Sequence, residues 1–186
     1  MYNDHDITII AGLSGVGKTF IIKKLTHESH TYAHLSAGSL IKKRLEKLDH
    51  DQLRKLDTNS ILANQYLMIE QFKEELNTID KRFSIILDAH MVIDNDIEII
   101  EVPYEIFEKL SPKRIIFLSE IAEKIIERRE FDNSRKRPIR SISEISEQQN
   151  RSIMLAKKYS LQLSIPFIEI RSGDVRALSN ALAEKQ

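Results

Sequence analysis

The chain has 186 residues, with 28 Lys+Arg against 28 Asp+Glu and a formal net charge of zero. That length fits a single domain, and the neutral balance excludes a wholesale nucleic-acid binder while leaving room for a local basic patch. The absence of cysteine excludes disulfides, thiolate catalysis and Cys-based zinc sites.

Strand and helix alternate along the chain. Asp6–Ala11 is a short apolar run, expected as a buried strand. Gly12–Thr19 is a Gly-rich turn, and Phe20–His27 continues as a helix. Tyr32–Ser36 reads as a second strand, leading to Gly38 and a basic helix through about Lys47. His50–Leu56 is polar and reads as a short helix or turn. Thr58–Ile79 is the clearest long helix, with an apolar stripe at Leu62, Tyr66, Ile69, Phe72, Leu76 and Ile79. Arg82–Ala89 is a third strand. Asp94–Val102 is acidic and reads as irregular, solvated surface. Pro103–Leu110 is a short helix stopped by Ser111-Pro112. Lys113–Leu118 is a fourth strand, with Ser119 the expected cap of a helix over Glu120–Glu130. Phe131–Arg140 is a polar, basic loop. Ser141 and Glu144 form a capping box for a helix to about Leu163. Pro166–Ile170 is the fifth strand and Val175–Ala183 the last helix.

Five short apolar strands separated by helices, without hairpin signals between them, imply crossovers and a parallel sheet covered on both faces. No apolar run approaches the ~20 residues that span a bilayer. The polar, acidic start does not read as a signal peptide, so the cytoplasm is the expected compartment.

Glycine is scarce, five in all, and three fall within six residues at 12, 15 and 17. Gly12-Leu13-Ser14-Gly15-Val16-Gly17-Lys18-Thr19 fits G-x-x-x-x-G-K-[ST] at every fixed position, after a strand and before a helix. Glycines let backbone N–H groups wrap around phosphate, and the positive end of the following helix adds to that field. In this pattern Lys18 reaches the β- and γ-phosphates and the Thr19 hydroxyl ligates Mg²⁺. Asp88, at a strand's carboxyl end, is the candidate for the second magnesium group, with His90 beside it.

The second charged feature is Arg128–Arg140, with six basic residues against two acidic. Arginine binds phosphate oxygens bidentately and stays charged, so this stretch reads as a lid over a phosphate chain. Arg128 and Arg129, on a helix end, are held more rigidly than Arg135 or Arg137.

The order of these parts resembles the nucleoside monophosphate kinases, and most closely the archaeal-type adenylate kinases and the related ribosome-assembly adenylate kinase/ATPases. The resemblance runs through Gly12–Thr19, Leu35–Leu40, Asp49–Asp57, Leu87–His90, Ile125–Arg129 and the helix around Gln148–Tyr159. It implies a three-layer P-loop NTPase fold of the α/β class: a five-stranded parallel sheet with helices on both faces, as one domain over 1–186. A helical monophosphate-binding section would span about 37–79 and a short lid about 130–141. The implied reaction is ATP·Mg²⁺ plus a nucleoside monophosphate, AMP in the adenylate kinases, to two diphosphates. Gly12, Ser14, Gly15, Val16, Gly17, Lys18 and Thr19 would hold ATP; Thr19 and Asp88 would hold Mg²⁺. Gly38, Ser39 and Lys42 would face the monophosphate, and Arg128, Arg137 and Arg151 would clamp phosphates. The chain departs from many adenylate kinases at Ala37-Gly38-Ser39, where they carry Thr-Gly-Asp, and at Lys42, near their arginine. Asp88-Ala89-His90-Met91 replaces Asp-Gly-Phe-Pro-Arg, which fits the archaeal-type subgroup. Two other readings stay open: a P-loop ATPase switched by RNA or a ribosomal protein, and a kinase for another small hydroxyl substrate.

Overall fold

The computed structural model describes residues 5–45, 52–53, 55–132 and 137–184. The basic helix beyond Leu45 falls outside them, as do residues 50, 51 and 54 of the expected helix or turn over His50–Leu56, of which Gln52 and Leu53 are helical.

Five parallel strands form the central sheet: β1 (Ile7–Ala11), β2 (Tyr32–Ser36), β3 (Ser84–Asp88), β6 (Arg114–Ser119) and β7 (Phe167–Arg171), in the order β2-β3-β1-β6-β7. All five sit within a residue or two of their expected bounds. Every residue of β1 is buried, as is all of β6 except Ser119, which requires cover on both faces of the sheet. Register aligns the carboxyl ends: Ile10 pairs with Asp88, Ser36 with Asp88, and Ala11 with Phe117. The loop after β1 therefore emerges beside the end of β3.

Seven helices complete the described fold: α1 (Lys18–Glu28), α2 (Ala37–Arg44), α3 (Thr58–Thr78), α4 (Tyr104–Leu110), α5 (Ala122–Phe131), α6 (Ile142–Leu163) and α7 (Val175–Ala183). On one side α1 packs against α7. On the other, α2 packs on α3, α3 on α4, and α4 on α6. No described helix is long and apolar enough to cross a membrane.

Three expectations need correcting. The stretch after β3 is not irregular: β4 (Val92–Asp94) and β5 (Ile99–Glu101) pair antiparallel around a turn at Asn95–Glu98. Asn95 Oδ1 accepts from the amides of Ile97 and Glu98, and Asp96 takes φ +78°. A side-chain-built turn of this kind carries no Gly signal. Second, Ser119 does not cap α5. It stays extended, paired with Arg171, and Ile121 stands at the cap position, its amide donating to Glu120 Oε1 at 3.1 Å. Third, the buried face of α3 is rotated from the expected stripe. Ile69 and Phe72 are buried, but Tyr66 is 45% exposed, while Ile61, Asn64, Gln65 and Met68 turn inward. Two carboxamides on a buried face break the apolar pattern because that face lines a cavity.

The capping box is as expected: Glu144 Oε2 accepts from the Ser141 amide at 2.8 Å, and Ser141 Oγ from the Glu144 amide at 3.3 Å. Replacing Ser141 by alanine is expected to cost about 1 kcal/mol of unfolding free energy. Urea denaturation followed by circular dichroism checks this, with the midpoint shifted and the slope unchanged.

Candidate active site

The loop Gly12–Thr19 leaves β1 and enters α1 through three glycines at positive φ: Gly12 (+151°), Gly15 (+88°) and Gly17 (+104°). A Cβ would be crowded at each, against backbone at Gly12 and against side chains at Gly15 and Gly17. A Cβ on Gly12 would lie 2.7 Å from the Leu118 carbonyl, one on Gly15 2.8 Å from Arg129 Cγ, and one on Gly17 3.0 Å from Ser172 Oγ. The loop is thus pressed between the end of β6, α5 and the start of the turn after β7.

Lys18 is buried, and its Nζ donates to the carbonyls of Gly12 at 2.8 Å and Leu13 at 3.2 Å. It lies 3.7 Å from Asp88 Oδ1. The Thr19 hydroxyl donates to Asp88 Oδ2 at 3.4 Å. His90 Nδ1 sits 2.9 Å from the Gly12 carbonyl, the geometry of a donating N–H. That assigns the 3.4 Å approach of the same nitrogen to Lys18 Nζ to proximity of two donors. The expected set of Lys18, Thr19, Asp88 and His90 therefore converges at the carboxyl ends of β1 and β3.

Thr19 and Asp88 present two hard oxygen donors to one point. No group of three or more His, Cys, Asp or Glu converges among the described residues. Such a sparse set fits Mg²⁺, which keeps several waters and is held by one or two carboxylates together with substrate phosphates.

Beside the loop opens a cavity of about 190 Å³. Leu13 and Ser14 of the loop line it, as do Gly38 and Ile41 of α2, Asn64, Gln65 and Met68 of α3, and Ile106, Phe107 and Leu110 of α4. His90, Asp94, Arg129, Arg137 and Gln148 stand among its polar lining. Of the charged lining residues, Arg129 and Arg137 contact Ser14 of the loop.

The arginines divide between two places. Arg129 Nε donates to the Ser14 carbonyl at 2.9 Å, and Arg137 Nε to Ser14 Oγ at 3.0 Å. Both lie where cavity and loop meet. Burial, helped by the nearby Arg137 charge and opposed by Asp94, lowers the Arg129 pKa to about 10, so it stays charged at neutral pH. Arg137 Nη2 pairs with Asp132 at 2.5 Å, while its buried Nη1 has no hydrogen-bond partner among the described residues. Arg128 instead braces the outer side of the loop: Nη1 donates to the Val16 carbonyl at 2.7 Å, and Nη2 to the buried Glu120 at 3.1 Å. Ser172 Oγ also donates to the Val16 carbonyl.

Other expected residues fall elsewhere. Ser39 and Lys42 are exposed and outside the cavity lining, whereas Gly38 is in it. Arg151 pairs with Glu101 at 2.7 Å on the surface and does not line the cavity. Arg135 and Lys136 lie outside the described residues. Sequence reasoning missed Asn64, Gln65, Gln148 and Asp94. Asp94 was expected on solvated surface, but its side chain is 13% exposed and receives a bidentate Arg140 at 2.9 and 3.0 Å. Burial pushes its carboxyl up, yet the bonds from Arg140, the Asp96 amide and Gln148 prevail and hold it below the ordinary value.

A domain family described as "AAA domain" matches residues 11–146. An adenylate kinase of Methanococcus aeolicus is 25% identical over 167 residues, covering 85% of this chain and 84% of that one. An adenylate kinase of Saccharolobus solfataricus is 31% identical over 142 residues, covering 70% and 72%. Among solved structures, a shikimate kinase of Bacteroides thetaiotaomicron superposes with a TM-score of 0.57 at 16% identity, covering 96% and 99%, a likeness of fold alone. The chain belongs to this AAA-domain family of P-loop kinases, with the archaeal adenylate kinases as its relatives.

Gly15→Ala puts a Cβ on both a left-handed backbone and the Arg129 side chain. It is expected to weaken ATP·Mg²⁺ binding at least about tenfold through lost loop geometry, as measured by titration calorimetry, with near-wild-type circular dichroism.

Proposed function

We propose that this kinase is a nucleoside monophosphate kinase that transfers the γ-phosphoryl group of ATP to AMP, giving two diphosphates, in the cytoplasm. The observation that carries this reading is the sharing of Ser14. It belongs to the phosphate loop, lines the adjoining cavity, and is held by both arginines at their junction. Donor and acceptor phosphates would meet there. The adenylate kinase relatives support the acceptor class.

The acceptor oxygen of a monophosphate is already anionic, so the protein has little proton chemistry to perform. Positioning and charge compensation carry the reaction. Loop amides and Lys18 would hold the β- and γ-phosphates of ATP, with Thr19 and Asp88 placed to hold Mg²⁺. A magnesium ion held there would supply neutralisation of the phosphate charge. Arg129 and Arg137 would bridge the transferring group and the acceptor phosphate. The base of the acceptor would enter the cavity, where Asn64 and Gln65 are the buried polar groups of α3. Arg128 would act through the loop it braces. In this reading the whole chain is one kinase domain, 37–79 serves the acceptor, and Arg137 and Pro138 of the 130–141 segment cover the mouth.

A cavity of about 190 Å³ is below the ~300–1,000 Å³ usual for ligand sites. That favours, as the second reading, a smaller hydroxyl acceptor. An acceptor panel separates them. Purified protein with ATP·Mg²⁺ is expected to form ADP and a second diphosphate with AMP. Phosphorylation of small hydroxy acids, with one ADP left per ATP used and no conversion of AMP to ADP, would favour the second reading. ATP hydrolysis that ignores every acceptor but responds to RNA or a protein partner would instead indicate a switch ATPase. Lys18→Ala is expected to lower kcat at least about a hundredfold, since it removes charge compensation at the transferring group.

A further inference from the structure

Asp94 is the one carboxylate among the described residues that line the cavity. An acid in a pocket that takes an anion is a liability by simple Coulomb repulsion unless it is neutralised. Here it is neutralised by a residue from the far side of the basic segment. Arg140 donates to both Asp94 oxygens, and its Nη2 also donates to the Asp96 carbonyl at 3.1 Å. Gln148 Nε2 of α6 donates to Asp94 Oδ2 at 3.2 Å. Arg140 Nη1 lies 3.8 Å from Glu144, so the pair is anchored to the first turn of α6 as well. The exposures of Arg140 and Asp94, 20% and 13%, make this a largely buried pair and not a screened surface contact.

Resting on the kinase reading above, we propose that Asp94 and Arg140 are positioning residues for the acceptor: together they latch the β4–β5 hairpin to the segment carrying Arg137. Only Pro138 and Ile139 separate Arg137 from Arg140. Fixing Arg140 at the hairpin fixes the chain from which Arg137 reaches Ser14. The same contact keeps the Asp94 charge from an incoming phosphate. Arg129 and Arg137 then present net positive charge to the acceptor, with Asp94 spent on Arg140.

Steady-state kinetics with both substrates varied test the latch. Asp94→Asn and Arg140→Gln are each expected to raise the acceptor KM about tenfold, the size of a broken coupled pair, with the ATP KM within about twofold. The charge-swapped double variant Asp94→Arg/Arg140→Asp is expected to recover most of the acceptor KM. An unchanged acceptor KM in Asp94→Asn, or a swap no better than the worse single variant, overturns the latch. If the wild-type protein phosphorylates no monophosphate, the monophosphate kinase reading fails by itself, and hydrogen exchange decides the latch. Asp94→Asn is then expected to speed exchange at the amides of Ile97 and Glu98, which donate to Asn95 Oδ1, at least about tenfold, as local opening does when a tie is cut. Unaltered exchange at those amides overturns it.

Discussion

Gly12 has no space for a side chain, because the Leu118 carbonyl stands 2.7 Å from where its Cβ would be. That contact sets the geometry on which the site depends. It brings the turn after β1 hard against the end of β6, and the chain can make that turn only through left-handed backbone. Gly15 and Gly17 repeat the constraint against Arg129 and Ser172. Sheet order puts β3 on the other side of β1, so Asp88 and His90 meet the same turn from the opposite flank. The buried Lys18 amine is then shared between loop carbonyls and Asp88. Each of these positions follows from where the loop is pressed.

Charge in the site is sorted by distance from this loop. Three arginines touch it: Arg128 from outside, and Arg129 and Arg137 from the cavity side. Each has a carboxylate or carbonyl that fixes it, and the buried Arg137 Nη1 is left over among the described residues. A cation held in this way needs no reorganisation when phosphate charge shifts, which is how preorganised electrostatics lower a barrier. The neutral net charge of the chain hides this arrangement. Acids such as Glu120, Asp94 and Asp132 are placed as partners of arginines, so the balance is achieved pair by pair.

Much of this was legible in the sequence because it is local. The phosphate loop is written in consecutive residues, the five strands are apolar runs, and the capping box of α6 spans Ser141 to Glu144. Asp88 was legible because strand ends in such sheets face the ligand. What was not legible depends on contacts between distant segments. Asn64 and Gln65 lie off the expected apolar stripe and carry no signal of their own, and only the packing of α4 and the hairpin makes them cavity lining. Asp94 looked like one acid among the four of Asp94–Val102, and only its pairing with Arg140, 46 residues on, shows it to be inside. Lys42 and Ser39 failed to reach the cavity for the converse reason. The helical spacing of α2 puts Gly38 and Ile41 on the lining face.

The central claim is that one phosphate loop serves two ligands, a triphosphate on the loop and a monophosphate in the cavity. A crystal structure with a dinucleotide linking two adenosines through five phosphates tests it directly. The account predicts phosphates threaded past Lys18 and Ser14, Arg129 and Arg137 on the bridging groups, and the second adenine between Asn64, Gln65 and the apolar wall of α4. A second adenosine lying outside the cavity, with only the first nucleotide held by the loop, would contradict it.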